Sequence, residues 1–271
     1  SDSNSTLKAG KSMVTLALNL NLTDPAYPLT GNVIGSGERA ILEPSLVAAN
    51  ARQPRAEARR YTLACDPADG VAAATGHGFA AMSLSRKHQI SIAGRMADGS
   101  PYTASVTQDR AGGVLWSAAL NRKQGWMLGQ LNLVEVGGAL PVGSVKWSRS
   151  GEAGAHQLDA TIAVYRAPSV AAVSALDFPD LNARLAVLRL SGGGLGTAID
   201  ADLTFLVRDI VRSALPDVGL RLIRGSGVLS GTLKTEGKSR PIYGVLLQNT
   251  DTGRGFFVNG DSAGSIQLEV K

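Results

Sequence analysis

Gly260-Asp-Ser262-Ala-Gly264 has the G-x-S-x-G spacing that presents a nucleophilic serine on a sharp turn in serine hydrolases. That serine needs an imidazole to take its proton and an acid to orient the imidazole, and in the α/β-hydrolase order both follow it in the chain. Only seven residues follow Gly264, and none is histidine or aspartate. A histidine-first order would draw on His77, His88 or His156, none of which sits in a chymotrypsin-like context. The motif reads as a turn between two strands, and no catalytic residue is assigned.

The three histidines have spacings that match no zinc signature, so no metal ligand is assigned. Asp66, Asp69 and Gly70, and separately Asn249, Asp251 and Gly253, have partial calcium-loop character. Both sets lack the later bidentate acid that completes such a loop, and side-chain-to-backbone turns explain them. The glycine clusters 35–37, 191–196 and 225–231 do not join a clear strand to a clear helix, so no phosphate cradle and no cofactor is expected. A glycan or ester hydrolase would have to use carboxylates such as Asp98, Asp109, Asp177 or Glu236, because carboxylate-pair enzymes leave no short motif. The aromatic residues suggest binding instead. Trp116, Trp126 and Trp147, with Tyr102 and Tyr243, are the residues from which a sugar-stacking platform would be built. The opposing expectation is that aromatics on alternating strands belong to the core.

The elements that must carry these residues are strands. Glycine numbers 32 of 271 residues with no collagen-like period, which indicates many turns and bulges. Met13–Leu22 alternates strictly, with Val14, Leu16, Leu18 and Leu20 on one face. Phe79–Leu84, Gln89–Met96, Tyr102–Val106, Val114–Leu120 and Trp126–Val134 follow as strand-length runs, with Asp98-Gly99 placed as a hairpin turn. Ser144–Trp147, Leu158–Tyr165 and Leu185–Leu190 continue the pattern, and five runs fill 220–270. Ala48–Arg60 reads as a short helix or a connection, and 203–213 suits helix and strand equally.

The net charge of +5 describes a weak field rather than a partner. The densest basic stretch, Arg52, Arg55, Arg59 and Arg60, has no interleaved aromatics and no nucleic-acid motif, so it reads as a solvated segment. Cys65 is the only cysteine, which excludes an internal disulfide. No apolar run is long enough for a transmembrane helix, aromatics are too few for the girdles of a lipid-facing barrel, and Ser1–Thr6 does not read as a signal peptide.

Two segments echo each other. Ile92-Ala-Gly94 through Asp98-Gly99 to Pro101-Tyr102 parallels Leu229-Ser-Gly231 through Glu236-Gly237 to Pro241-Ile-Tyr243. Either a duplication or the general likeness of any two hairpins accounts for this.

The same blocks carry a family likeness. Gly76–Ser105, with Ile92-Ala-Gly94 and Ala97-Asp98-Gly99, resembles a recurrent C-terminal region of large secreted or surface proteins of the Verrucomicrobia and relatives. The tail from Gly227-Val-Leu-Ser-Gly231 through Pro241–Gln248 to Ser262–Glu269 is similar as well, so the likeness spans about 61–271. The resemblance implies a β-rich module of a secreted bacterial protein and brings no catalytic residue with it.

The sequence therefore leads us to expect an all-β, hairpin-rich antiparallel barrel or sandwich, with two pseudo-symmetric subdomains as one form and at most a few short helices. The expected divisions are 1–60, 61–168 and 169–271. The expected role is a non-catalytic extracellular module for adhesion, glycan contact or assembly, with polysaccharide or other cell-surface domains as partners and no specific nucleic acid. The alternative is a hydrolase of glycans or esters.

Overall fold

The computed structural model describes the backbone of residues 2–9, 12–20, 29–35 and 38–42. It describes backbone and side chains over 57–67, 76–109, 111–120, 125–134, 141–149, 155–169, 174–179, 183–260 and 262–271. The chain divides into two compact units, Ser1–Gln53 and Pro54–Lys271. In the first, β1 (Asp2–Ala9), β2 (Ser12–Leu20), β3 (Leu29–Gly35) and β4 (Glu38–Leu42) form an antiparallel meander in chain order. The strand expected at Met13–Leu22 is β2. Of the ambiguous stretch 48–60, residues 48–56 lie outside the described residues, and 59–60 open the next strand.

The second unit contains two eight-stranded antiparallel sheets, each curled into a nearly closed barrel. The first consists of β5 (Arg59–Pro67), β6 (Gly78–Leu84), β7 (Gln89–Arg95), β8 (Pro101–Thr107), β9 (Gly113–Leu120), β10 (Gly125–Asn132), β11 (Val142–Ser148) and β12 (His156–Tyr165). Within β5–β8 and within β9–β12 each strand pairs with its neighbour in sequence, and β12 returns to pair with β5, with Ile162 opposite Leu63. The one seam lies between β8 and β9, which a tight turn joins through Asp109 N–H donating to Gly113 O at 2.9 Å.

The second barrel repeats the plan with β13 (Leu185–Gly192), β14 (Ile199–Phe205), β15 (Val211–Ser213), β16 (Val218–Ile223), β17 (Val228–Thr235), β18 (Lys238–Leu247), β19 (Thr252–Asn259) and β20 (Ser262–Val270). Here β20 pairs with β13, and the seam lies between β15 and β16. The ambiguous 203–213 stretch is the end of β14, a single 3₁₀ turn at Val207–Asp209, and β15. No helix among the described residues is long and apolar enough to cross a membrane.

Alternation determines which side chains fill each barrel. In β10, Gly125, Met127, Gly129 and Leu131 are buried, while Trp126, Leu128, Gln130 and Asn132 face out. Large residues fit inside because glycine stands directly opposite them. A Cβ on Gly129 would overlap the Trp116 ring across the ladder, one on Gly94 would crowd Tyr102, and one on Gly264 would overlap Phe257. Aromatic-over-glycine pairing of this kind lets a sheet coil tightly without leaving a void, which accounts for part of the glycine excess.

Two strands break the alternation for a physical reason. Tyr61 to Cys65 are all buried in β5, and Gly244 to Leu247 are all buried in β18. Each has its own barrel core on one face and the other barrel on the opposite face. Phe79, Val245 and Phe256 form the apolar part of this junction, and Thr62 Oγ1 donates to Leu246 O at 2.6 Å.

The two echoing hairpins differ in position and in turn. Asp98-Gly99 joins the third and fourth strands of barrel one, whereas Glu236-Gly237 joins the fifth and sixth of barrel two. Only Gly99 is left-handed in the first turn (φ 85°), and Asp98 Oδ1 there accepts the Ser100 N–H at 2.8 Å. Both Glu236 and Gly237 are left-handed in the second (φ 52° and 71°), as a two-residue type I′ hairpin requires. The fold repeats at the level of the barrel, and these two hairpins are not equivalent strands within it.

Candidate functional site

The most densely bonded polar cluster lies where the barrels meet. Asp66 projects from the outer face of β5. Its Oδ1 is 2.8 Å from His77 Nδ1, and its Oδ2 accepts Thr161 Oγ1 at 2.8 Å and pairs with the Arg254 guanidinium from β19. His77 is itself fixed by its backbone N–H, which donates to Gly255 O at 3.1 Å. Burial alone would raise the Asp66 pKa, but the hydrogen bonds from His77 and Thr161 and the charge of Arg254 outweigh it and hold the carboxyl below its ordinary 3.8. In a catalytic triad the hydroxyl sits on the imidazole nitrogen remote from the carboxylate. Here the Thr161 hydroxyl sits on the carboxylate, so the cluster works as a clamp between barrels.

A second carboxylate, this one fully buried, is likewise saturated. Asp209 accepts Ser174 Oγ at 2.5 Å, the Ala175 N–H at 3.3 Å and Arg224 Nε at 2.8 Å. These bonds hold Arg208 and Asp209 in left-handed backbone (φ 64° and 53°) and fasten the inter-barrel connection to barrel two. Nearby, Tyr165 OH donates to Arg224 O at 2.6 Å, and its phenol is pushed up to about 12 by burial and then by the Asp209 charge.

The other sequence candidates lie apart from one another. Ser262 Oγ donates to Asn259 O at 3.0 Å in the β19–β20 turn, as expected of a plain turn. His88 lies in the β6–β7 turn, and His156 opens β12 beside Trp147. Asp98 and Asp109 accept the Ser100 and Gly113 N–H groups of their own turns, Glu236 pairs with Arg240 at 3.3 Å, and Asp177 N–H donates to Asp251 Oδ1 at 2.9 Å. Asp251 therefore serves a turn and the connection, while Asp69 and Gly70 lie outside the described residues.

The five aromatic candidates do not form one platform. Trp116 and Trp147 are each 2% exposed and Tyr102 is 4% exposed, all in the core of barrel one. Their faces are spent on packing because their strand parity points inward. Tyr243 is half-buried at the junction, with the Arg95 guanidinium 4.6 Å over its ring and Phe256 5.6 Å away. Trp126 differs from the other two tryptophans. It is 45% exposed on the outer face of β10, and its cross-strand neighbours Ala119 and Ser148 are too small to cover the ring.

Leu128 follows Trp126 two residues along the same face, Leu115 and Val142 lie farther along it opposite Gln130 and Asn132, and Ser117, Gln130, Ser144 and Lys146 stand between them. The arrangement offers a flat apolar ring edged by hydroxyl, amide and ammonium groups. Such a surface matches the alternating C–H and O–H character of a sugar chain.

No family model matches the chain, and no curated protein matches it. Among solved structures it is similar to the endo-1,5-α-L-arabinanase of Thermotoga petrophila RKU-1, at 7% identity and a TM-score of 0.26, over 99% of this chain and 83% of that one. The same arabinanase in complex with TRIS gives 6% identity and a TM-score of 0.27 over the same shares. Likeness at this level says nothing about activity.

Proposed function

We propose that the protein is a non-catalytic extracellular β module that contacts glycan through the outer face of β9–β11, with Trp126 as its stacking residue. The observation that carries this reading is the uncovered Trp126 ring. A large indole left on a sheet between alanine and serine loses burial it would gain inside, whereas a bound pyranose face restores it. The two clamped carboxylates support a structural rather than an acid–base role. Asp66 and Asp209 each carry an arginine and several hydrogen-bond donors, which occupy the carboxylate oxygens. A secreted location and bacterial surface context follow the family resemblance of 61–271 and belong to this proposal.

Affinity electrophoresis against a panel of soluble neutral polysaccharides tests the reading. At least one polysaccharide should retard the protein, and Trp126→Ala should abolish that retardation without changing thermal unfolding. Release of reducing sugar from the bound polysaccharide, or retardation unaffected by Trp126→Ala, would refute it.

A further inference from the structure

On the opposite outer face of barrel one, a cleft of about 870 Å³ runs beside the barrel junction. Its floor is a single cross-strand row. Arg60 on β5 lies opposite Ser83 on β6, Ser83 opposite Ser91 on β7, and Ser91 opposite Ser105 on β8. At about 4.8 Å between strands, the row extends roughly 14 Å. Small outward side chains keep the floor open, and all three serine hydroxyls are on exposed residues.

The charge lining this cleft is unbalanced. Arg59, Arg60 and Arg166 meet one carboxylate, Glu57, which pairs with Arg59 at 3.1 Å. Arg60 and Arg166 have no carboxylate partner among the described residues. The backbone of Arg166 is held in place: Gln248 of barrel two accepts its N–H at 2.7 Å and donates to its carbonyl at 3.2 Å. Two exposed guanidinium groups, one of them on a backbone fixed by barrel two, stand beside an elongated row of hydroxyls and form a surface that reads charge and hydroxyls together.

We infer that this cleft binds an acidic polysaccharide, one carrying sulfate or carboxylate groups, with Arg60 and Arg166 on the anions and Ser83, Ser91 and Ser105 on the ring hydroxyls. The ligand class rests on the glycan-contact reading above, but the residues are separate from the Trp126 face. Elongation and hydroxyl complementarity favour a sugar chain over a compact phosphate, and the cleft has no exposed aromatic on which a nucleobase would stack.

The test is titration of dextran sulfate, carboxymethyl dextran and unmodified dextran, with polyuridylate as competitor. Both anionic dextrans should bind more tightly than dextran. Arg60→Ala/Arg166→Ala should weaken them by about tenfold or more, the size expected for lost charge-assisted hydrogen bonds. Ser91→Leu, which fills the floor without changing charge, should weaken them as well. Removing equal charge on barrel two, with Arg212→Ala/Arg221→Ala, should leave binding within about twofold if no specific contact is lost.

Equal losses from both arginine pairs would reduce the effect to net charge and overturn the inference, as would no loss from the cleft pair. Stronger binding of polyuridylate through the same arginines would overturn the ligand class. If Trp126→Ala leaves all dextran binding intact while the cleft variants abolish it, the cleft stands and the reading of the Trp126 face fails.

Discussion

The two outer faces of barrel one are made of similar strands and present opposite chemistry. The β9–β11 face exposes Leu115, Trp126, Leu128 and Val142, while the β5–β8 face presents Arg60, Ser83, Ser91 and Ser105. Between them lies one shared core, in which Trp116 and Trp147 are buried by the same alternation that exposes Trp126. Residue type does not separate core from surface here. Strand parity does, and an indole one position away along a ladder changes from structural to available.

Removing a core indole costs the most stability. Trp116→Ala should cost about 3–5 kcal/mol in urea unfolding because it empties the space over Gly129, whereas Trp126→Ala should change stability by no more than about 0.5 kcal/mol. A similar cost at both positions would remove the inside–outside distinction.

The junction comes next. Asp66→Ala leaves His77 and Thr161 without their acceptor and should destabilise by about 1–3 kcal/mol. The pH dependence has a definite sign. The Asp66 pKa is lowered on folding, so its contribution is complete above the ordinary 3.8 and is lost as pH falls through the lower folded value. Urea midpoints measured downward from pH 5 should therefore fall more steeply in wild type than in Asp66→Asn.

A smaller effect belongs to the β7–β8 turn. Gly99→Ala places a Cβ at φ 85° and should cost about 1 kcal/mol or somewhat more.

The least perturbing probe is Cys65, buried on β5. Burial and the adjacent Asp66 charge push its thiol well up, so a thiol reagent should label it only at the rate of unfolding. Fast labelling of the native protein would mean that barrel one opens locally.

Much of this was legible in the sequence, because period-two alternation survives wherever one face is wet. The strands of 79–134 and 220–270 lie where the pattern puts them. Trp116 and Trp147, candidates for a sugar platform by residue type, turn inward instead, and for Trp147 the signal lies in its strand neighbours. Lys146 marks the outer parity of β11 and sends Trp147 inward, while Gln130 and Asn132 share a parity with Trp126 and send it outward.

The junction was not legible. Asp66 and Arg254 are 188 residues apart, and their pairing depends on how one barrel packs on the other. The cleft was hidden for the same reason. Ser83, Ser91 and Ser105 are unremarkable singly and become a row only through the register of three hairpin-linked strands. Arg60 reads as part of a solvated basic stretch until Gln248 brings Arg166 to the same place.

The glycan-contact claim meets its most direct test in the fluorescence of Trp116→Phe/Trp147→Phe, in which Trp126 is the sole indole. Titration with a polysaccharide that retards the wild-type protein should give a saturable emission change and shield the indole from acrylamide. Retained binding with no change in Trp126 emission or quenching would show that the sugar sits elsewhere.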